Sequence, residues 1–261
     1  VCRMLLNELL ARSLEYDHTY AVCRCQAEDT SLRYALEQLG FVPVSGQEDI
    51  YYVDMRSPVM LLQDVLLQIK KPHHDSNAVK AVVRKTRPKL RRAIANLFPG
   101  KLVLCFDSEM LNQALMERVE TLNGVQNVPP GVRRLGPYMC VPYGKILSDE
   151  IVPNTVTKSL RVEKCYQADA SSFEVVEYPG YSPLKNQIRT LKSFRRPVIL
   201  VDDLLHKGYR IAKLDRLLKE EALSTQRLIV AVMSGYGRDL MLVQGRQVDC
   251  EYFIPNLHYW V

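Results

Sequence analysis

The chain has 261 residues, 47% of them hydrophobic and 25% charged, with a formal net charge of +6. This is globular composition, long enough for one large or two modest cores, and it excludes a disordered or fibrous chain. No apolar run approaches a membrane span, and Val1 leads directly into a helical pattern, so the reading expects no membrane partner and a segment of something longer. Seven cysteines are scattered and odd in number, with Cys23 and Cys25 as the one close pair. They read as free thiols of a reducing, cytoplasmic compartment.

Residues 4–15 carry leucines at helical spacing, 19–25 alternate as a strand, and Asp29 or Thr30 can cap a helix that stops at Gly40. Residues 41–44 and 50–55 read as two further strands. This order, with Ala35-Leu36-Glu37-Gln38-Leu39-Gly40-Phe41, resembles the C-terminal half of a GNAT-type N-acyltransferase domain over residues 1–56. The acyl-CoA pyrophosphate loop of that family would precede the first helix, outside this sequence. Its frequent tyrosine acid, four residues before the glycine, corresponds to Leu36, while Tyr34 is rotated well around the helix. Acetyl-CoA is therefore not expected, and the segment reads as a structural or homodimerising piece.

Residues 57–100 are expected to be a mainly helical connector, broken at Pro58, Pro72 and the His73-His74-Asp75-Ser76 turn. Adjacent histidines in a polar turn point apart, so a loop is preferred to a metal site. Residues 59–101 hold ten Lys/Arg against Asp64 and Asp75, a local excess of +8. Lys80, Arg84, Lys85, Arg87, Lys89, Arg91 and Arg92 follow one another without an acid. No aromatic interleaves them as a stacking platform, which argues for a solvated or phosphate-facing helix, interrupted at Pro88, rather than a nucleic-acid partner.

From Pro99-Gly100 onward, strand and helix alternate as in a mostly parallel sheet. Strands are expected at 102–106, 138–142, 155–166, 173–178, 197–201 and 228–233, and helices at 111–122, 183–193 and 210–222. A strand-end loop is expected at 235–239, with short strands at 240–243 and 249–254.

The strand Pro197-Val198-Ile199-Leu200-Val201 runs into Asp202-Asp203, then Leu204-Leu205-His206-Lys207-Gly208-Tyr209-Arg210. An unbroken aliphatic run fits a strand buried on both faces, and ligands of open α/β sheets bind beyond such strand ends. The order resembles the PRPP-binding signature of type I phosphoribosyltransferases, over roughly residues 101–255. The resemblance implies that Asp202 and Asp203 hold ribose hydroxyls or the water shell of Mg²⁺, and that His206, Lys207, Gly208 and Arg210 wrap a phosphate. It also implies that Tyr143-Gly144-Lys145 is the pyrophosphate loop and that 154–159 suits a mobile arm. His206 stands where the family has a loop carboxylate, and Lys207 and Arg210 where it has hydroxyl residues.

The sequence thus implies an α/β chain of three parts: a GNAT-like α+β segment (1–56), a helical basic connector (57–100) and a phosphoribosyltransferase-like domain (101–261). Its expected role is to bind a phosphosugar or nucleotide at 202–210 within a larger transferase. Two alternatives stay open: an active Mg²⁺-dependent phosphoribosyltransferase using PRPP, and a non-catalytic scaffold or regulatory module of a nucleotidyltransferase.

Overall fold

The computed structural model describes residues 2–63, 69, 72–125 and 134–260. It divides into two compact units: residues 1–110 with 252–261, and residues 111–251. Among the described residues no helix is long and apolar enough to cross a membrane.

The first unit is built on one long strand. Helix α1 (Cys2–Ser13), β1 (Tyr20–Arg24), α2 (Thr30–Gln38) and β2 (Val42–Val44) precede β3, which runs from Gln47 to Gln63. Asp29 caps α2 by accepting a bond from the Leu32 N–H at 2.9 Å, as the sequence suggests. The first half of β3 pairs antiparallel with β1 and β2, and the second half pairs parallel with β4 (Lys101–Asp107) and β12 (Tyr259–Trp260). The helix expected after residue 57 is therefore strand through Gln63. Val59 and Met60 lie between two partner strands and, with Leu61, are buried, which is where an unbroken apolar run belongs. Pro58 falls in the register irregularity between Asp54 and Val59, where a missing N–H breaks no ladder bond.

Helix α3 (Asn77–Leu97) passes through Pro88 without stopping. Val83, Ile94 and Ala95 form its buried stripe, and the last two pack with Val59, Leu61, Val103 and Cys105. That packing outweighs the single ladder bond lost at the proline. The outer edge of β4 is covered. Its Val103 N–H donates to the Leu39 carbonyl at 3.0 Å and its Cys105 N–H to Asn7 Oδ1 at 2.7 Å. Gly40, at φ +87°, lies so close that a Cβ would stand 2.0 Å from the Lys101 carbonyl oxygen. These bonds tie β4 to the first unit, whose leading segment ends at Met110.

The chain enters the second unit within α4 (Ser108–Asn123). There follow β5 (Met139–Pro142), β6 (Val156–Thr157), β7 (Val162–Tyr166), β8 (Phe173–Glu177), α5 (Leu184–Ser193), β9 (Val198–Leu205), α6 (Tyr209–Glu220), β10 (Thr225–Ser234), α7 (Gly235–Val243) and β11 (Val248–Ile254). The sheet order is β11-β10-β9-β5-β6, with β10–β9, β9–β5 and β5–β6 all parallel. The α/β class with a mostly parallel sheet and flanking helices is the class the sequence implied.

Three local expectations change. The single strand at 155–166 is two: β6 ends at Thr157, while the Lys158 and Leu160 N–H groups still bond the Cys140 and Pro142 carbonyls. β7 then turns away to pair antiparallel with β8 as a separate hairpin. Residues 235–243, expected as loop and strand, are the helix α7, because Ser234 Oγ accepts the Gly237 N–H at 3.1 Å and caps it.

Candidate functional site

Register places the proposed residues together. Parallel pairing aligns Pro142 of β5 with Val201 of β9, so Tyr143-Gly144-Lys145 and Asp202-Asp203 leave neighbouring strands at the same level. Apolar packing sets that register: Met139, Cys140, Val141 and residues 198–200 are wholly buried. All nine predicted site residues lie in the second unit.

Asp202 is 2% exposed, aligned with Val230 of β10, and a carboxylate so enclosed requires a partner. Arg210, in the first turn of α6, supplies it through an ion pair from Nη2 to Asp202 Oδ1. The guanidinium also lies 4.9 Å from the centre of the Tyr143 ring. Burial draws the Arg210 pKa down, and Tyr143 opposes this. A guanidinium remains charged in such a setting, so the pair is ionic. Tyr143 is itself buried, its hydroxyl finds no hydrogen-bond partner among the described residues, and burial pushes its pKa above the ordinary tyrosine value.

Asp203 turns toward β5. Its Oδ2 accepts the Lys145 N–H at 2.6 Å and its Oδ1 the Ile146 N–H at 3.0 Å, while its own N–H donates to Asp202 Oδ1 at 2.7 Å. Gly144 permits this closeness. A Cβ there would stand 2.4 Å from Asp203 Oδ1 and 2.8 Å from Asp202 Oδ1. The two acids therefore stitch β9 to the turn after β5 and to α6. As they stand they do not fit a magnesium ion: the Asp202 charge is matched by Arg210, and both Asp203 oxygens hold backbone N–H groups. No other group of three His, Cys, Asp or Glu side chains is placed to hold a metal among the described residues.

The loop after β9 is short. The His206 carbonyl accepts from Ser234 Oγ at 2.6 Å. Lys207 is exposed, and Gly208 takes a left-handed φ of +71° to open α6. A Cβ on Gly208 would meet Leu240 Cδ2 of α7 at 2.3 Å. A glycine N-cap offers no side-chain acceptor to the first-turn N–H groups of α6, which leaves them suited to an anion. Lys207 and Lys145 are exposed cations at the two strand ends, whereas Arg210, expected on the phosphate, points to Asp202 and Tyr143 instead.

The segment 154–159, expected as an arm, uses its hydroxyls internally. Thr155 Oγ1 accepts from Asn123 Nδ2 at 2.9 Å, and Ser159 Oγ donates to the Ser148 carbonyl at 2.6 Å. Two residues that bear on the site escaped the sequence reading. Ser234 fixes both His206 and α7, and a serine directly after an apolar strand was a readable capping signal. Lys164 of β7 bears on Arg210, and burial first and that like charge second lower its pKa. No local signal pointed to it.

No protein-family model matches the chain, and no curated protein matches it. Among solved structures, the chain is similar to a purine phosphoribosyltransferase from Pyrococcus horikoshii Ot3. The identity is 13%, the match covers 59% of this chain and 85% of that one, and the TM-score is 0.32. It is also similar to an adenine phosphoribosyltransferase from Thermoanaerobacter pseudethanolicus ATCC 33223. There the identity is 10%, the match covers 64% of this chain and 84% of that one, and the TM-score is 0.32.

Proposed function

We propose that residues 111–251 are a phosphoribosyltransferase-like binding domain of a larger transferase, taking the phosphate of a phosphosugar or nucleotide at Lys207, Gly208 and the start of α6. The ion pair between Asp202 and Arg210 carries this reading. It turns the acid pair of the signature into an internal brace, so the ribose hydroxyls lose their usual acceptors while the phosphate loop keeps its glycine and its cation. Binding without turnover follows: the charge that would orient a sugar is already neutralised. The GNAT-like segment is read as structural. Leu36 is fully buried in the core, and Gly40 packs on the β4 backbone.

The test is calorimetry of the full 261-residue chain with ribose 5-phosphate and with PRPP plus Mg²⁺, beside an assay for pyrophosphate release. Saturable heat from both ligands, lost in Lys207→Ala and without pyrophosphate release, is expected. Release of pyrophosphate with any nucleobase would instead establish the active enzyme. Absence of heat from every phosphosugar would leave the domain a scaffold.

A further inference from the structure

The hairpin of β7 and β8 carries a half-buried lysine that the phosphate loop does not use. Alternation along a strand sends successive side chains to opposite faces. Pairing aligns Val162 with Glu177, Lys164 with Val175 and Tyr166 with Phe173, so these six share one face of the hairpin. Helix α6 lies against the hairpin: Lys213 donates to the Phe173 carbonyl. Glu174 and Val175 line a cavity of about 270 Å³ together with Ala212, Lys213, Arg216 and Leu217 of α6. Lys164 stands directly across the ladder from Val175, at the side of that cavity.

An ammonium is poorly served there. No carboxylate bears on Lys164 among the described residues. Glu163 and Glu174 belong to the opposite face, and Glu174 Oε1 meets Lys213 at 3.3 Å. Glu177 shares the face of Lys164 but accepts the Leu184 N–H at 3.3 Å. Residues 126–133 of the same unit, outside the described set, contain no aspartate or glutamate. Cations stand close instead. Arg210 bears on Lys164, while Lys213 Nζ and Lys164 Nζ lie 4.7 Å and 5.2 Å from the centre of the same Phe173 ring. Two like charges thus share one ring, whose attraction for a cation is modest. Burial first and Arg210 second lower the Lys164 pKa. The local charges close when Lys164 is neutral, since Asp202 matches Arg210 and Glu174 matches Lys213.

We propose that Lys164 is a nucleophilic lysine, an amine placed to condense with a small aromatic aldehyde admitted by the adjoining cavity. The Nζ lone pair adds to the carbonyl carbon and a C–N bond forms. The carbonyl oxygen then leaves as water with the two amine hydrogens, and a neutral imine remains. A desolvated amine beside another cation is the arrangement that favours this condensation. The neutral product keeps the surrounding charges closed. Tyr166 and Phe173, with ring centres 5.6 Å apart, supply an aromatic wall for the aldehyde's own ring. The site lies wholly within the second unit and does not use Lys207 or Gly208.

Pyridoxal is the probe, offered to the full chain at neutral pH, with borohydride to fix the imine and peptide mapping to locate it. Lys164 is expected to be labelled at least tenfold faster than the exposed Lys145 and Lys207. Urea should abolish that preference, because the fold and not the neighbours in sequence creates it. Lys164→Arg should remove the adduct and keep the melting temperature. Lys207→Ala should leave labelling of Lys164 unchanged, so the outcome stands apart from phosphate binding at the loop. If Lys164→Arg fails to fold, mapping of the unmodified chain decides. Labelling of Lys164 no faster than that of exposed lysines, a preference that survives urea, or its loss in Lys207→Ala would overturn the proposal.

Discussion

Asp107 and Asp202 occupy comparable positions, each near the carboxyl end of a buried parallel strand and each followed by a helix. Around Asp202 the charge closes: one enclosed carboxylate, one arginine, and a neighbouring Asp203 held by backbone N–H groups. Around Asp107 the setting is wetter: Arg87 holds Oδ2 and the Glu109 N–H holds Oδ1 of a carboxylate that stays half-exposed. Matched charge at a strand end acts as a brace, because each partner lowers the cost of the other's burial. A half-exposed pair at the same kind of position contributes less, because water still reaches the carboxylate and little burial has to be offset.

The widest separation of the two regions comes from removing one arginine at each. Arg210→Met strands Asp202 as a buried unpaired charge and is expected to cost about 3–5 kcal/mol, most of it recovered in the double variant with Asp202→Asn. Urea unfolding measures both. A loss under about 1 kcal/mol would mean that Asp202 is available to a ligand after all. By contrast, Arg87→Met leaves a half-exposed Asp107 within reach of water and is expected to cost about 1 kcal/mol or less.

Next in size are the backbone supports. Gly144→Ala forces a methyl group against both carboxylates and should destabilise by about 1–3 kcal/mol in the same assay. Its counterpart, Asn7→Leu, leaves the Cys105 N–H without its partner on the edge of β4. It should cost about 1–3 kcal/mol, and hydrogen exchange at Cys105 should accelerate. If exchange there is unaltered, another group covers that edge.

Tyr143→Phe removes a buried hydroxyl that has no partner among the described residues, so stability is expected to hold or to rise by up to about 1 kcal/mol. A clear loss would reveal a hydrogen bond to the phenol.

The smallest effect is one of pH. Burial in β5 pushes the Cys140 thiol up to about 12. A raised folded-state value means that this contribution is complete below the unfolded thiol's pKa and is lost as pH rises through about 9 toward about 12. Unfolding midpoints at pH 8 and 10 should therefore differ less in Cys140→Ala than in the native sequence. In the native state, alkylation at pH 8 should mark the exposed Cys2 and Cys165 and spare Cys140.

The sequence by itself determined what depends on near neighbours. The aliphatic run before Asp202 could only be a buried strand, Asp29 could cap α2 from its own side chain, and Gly40 and Gly208 marked turns that other residues resist. Their physics is local: dihedral preference, capping and periodicity act within a few residues. Tertiary structure decided where charges and strand edges find their partners. Residues 57–63 became strand because β4 and β12 lay on either side, and α3 ran through Pro88 because its apolar face was already packed. Arg210 left the phosphate for Asp202 because an enclosed carboxylate draws the nearest cation that the fold can deliver. Asn7 met the Cys105 N–H because a helix distant in sequence covers that strand edge. Coulomb forces and desolvation depend on distance through space, which spacing along the chain does not reveal.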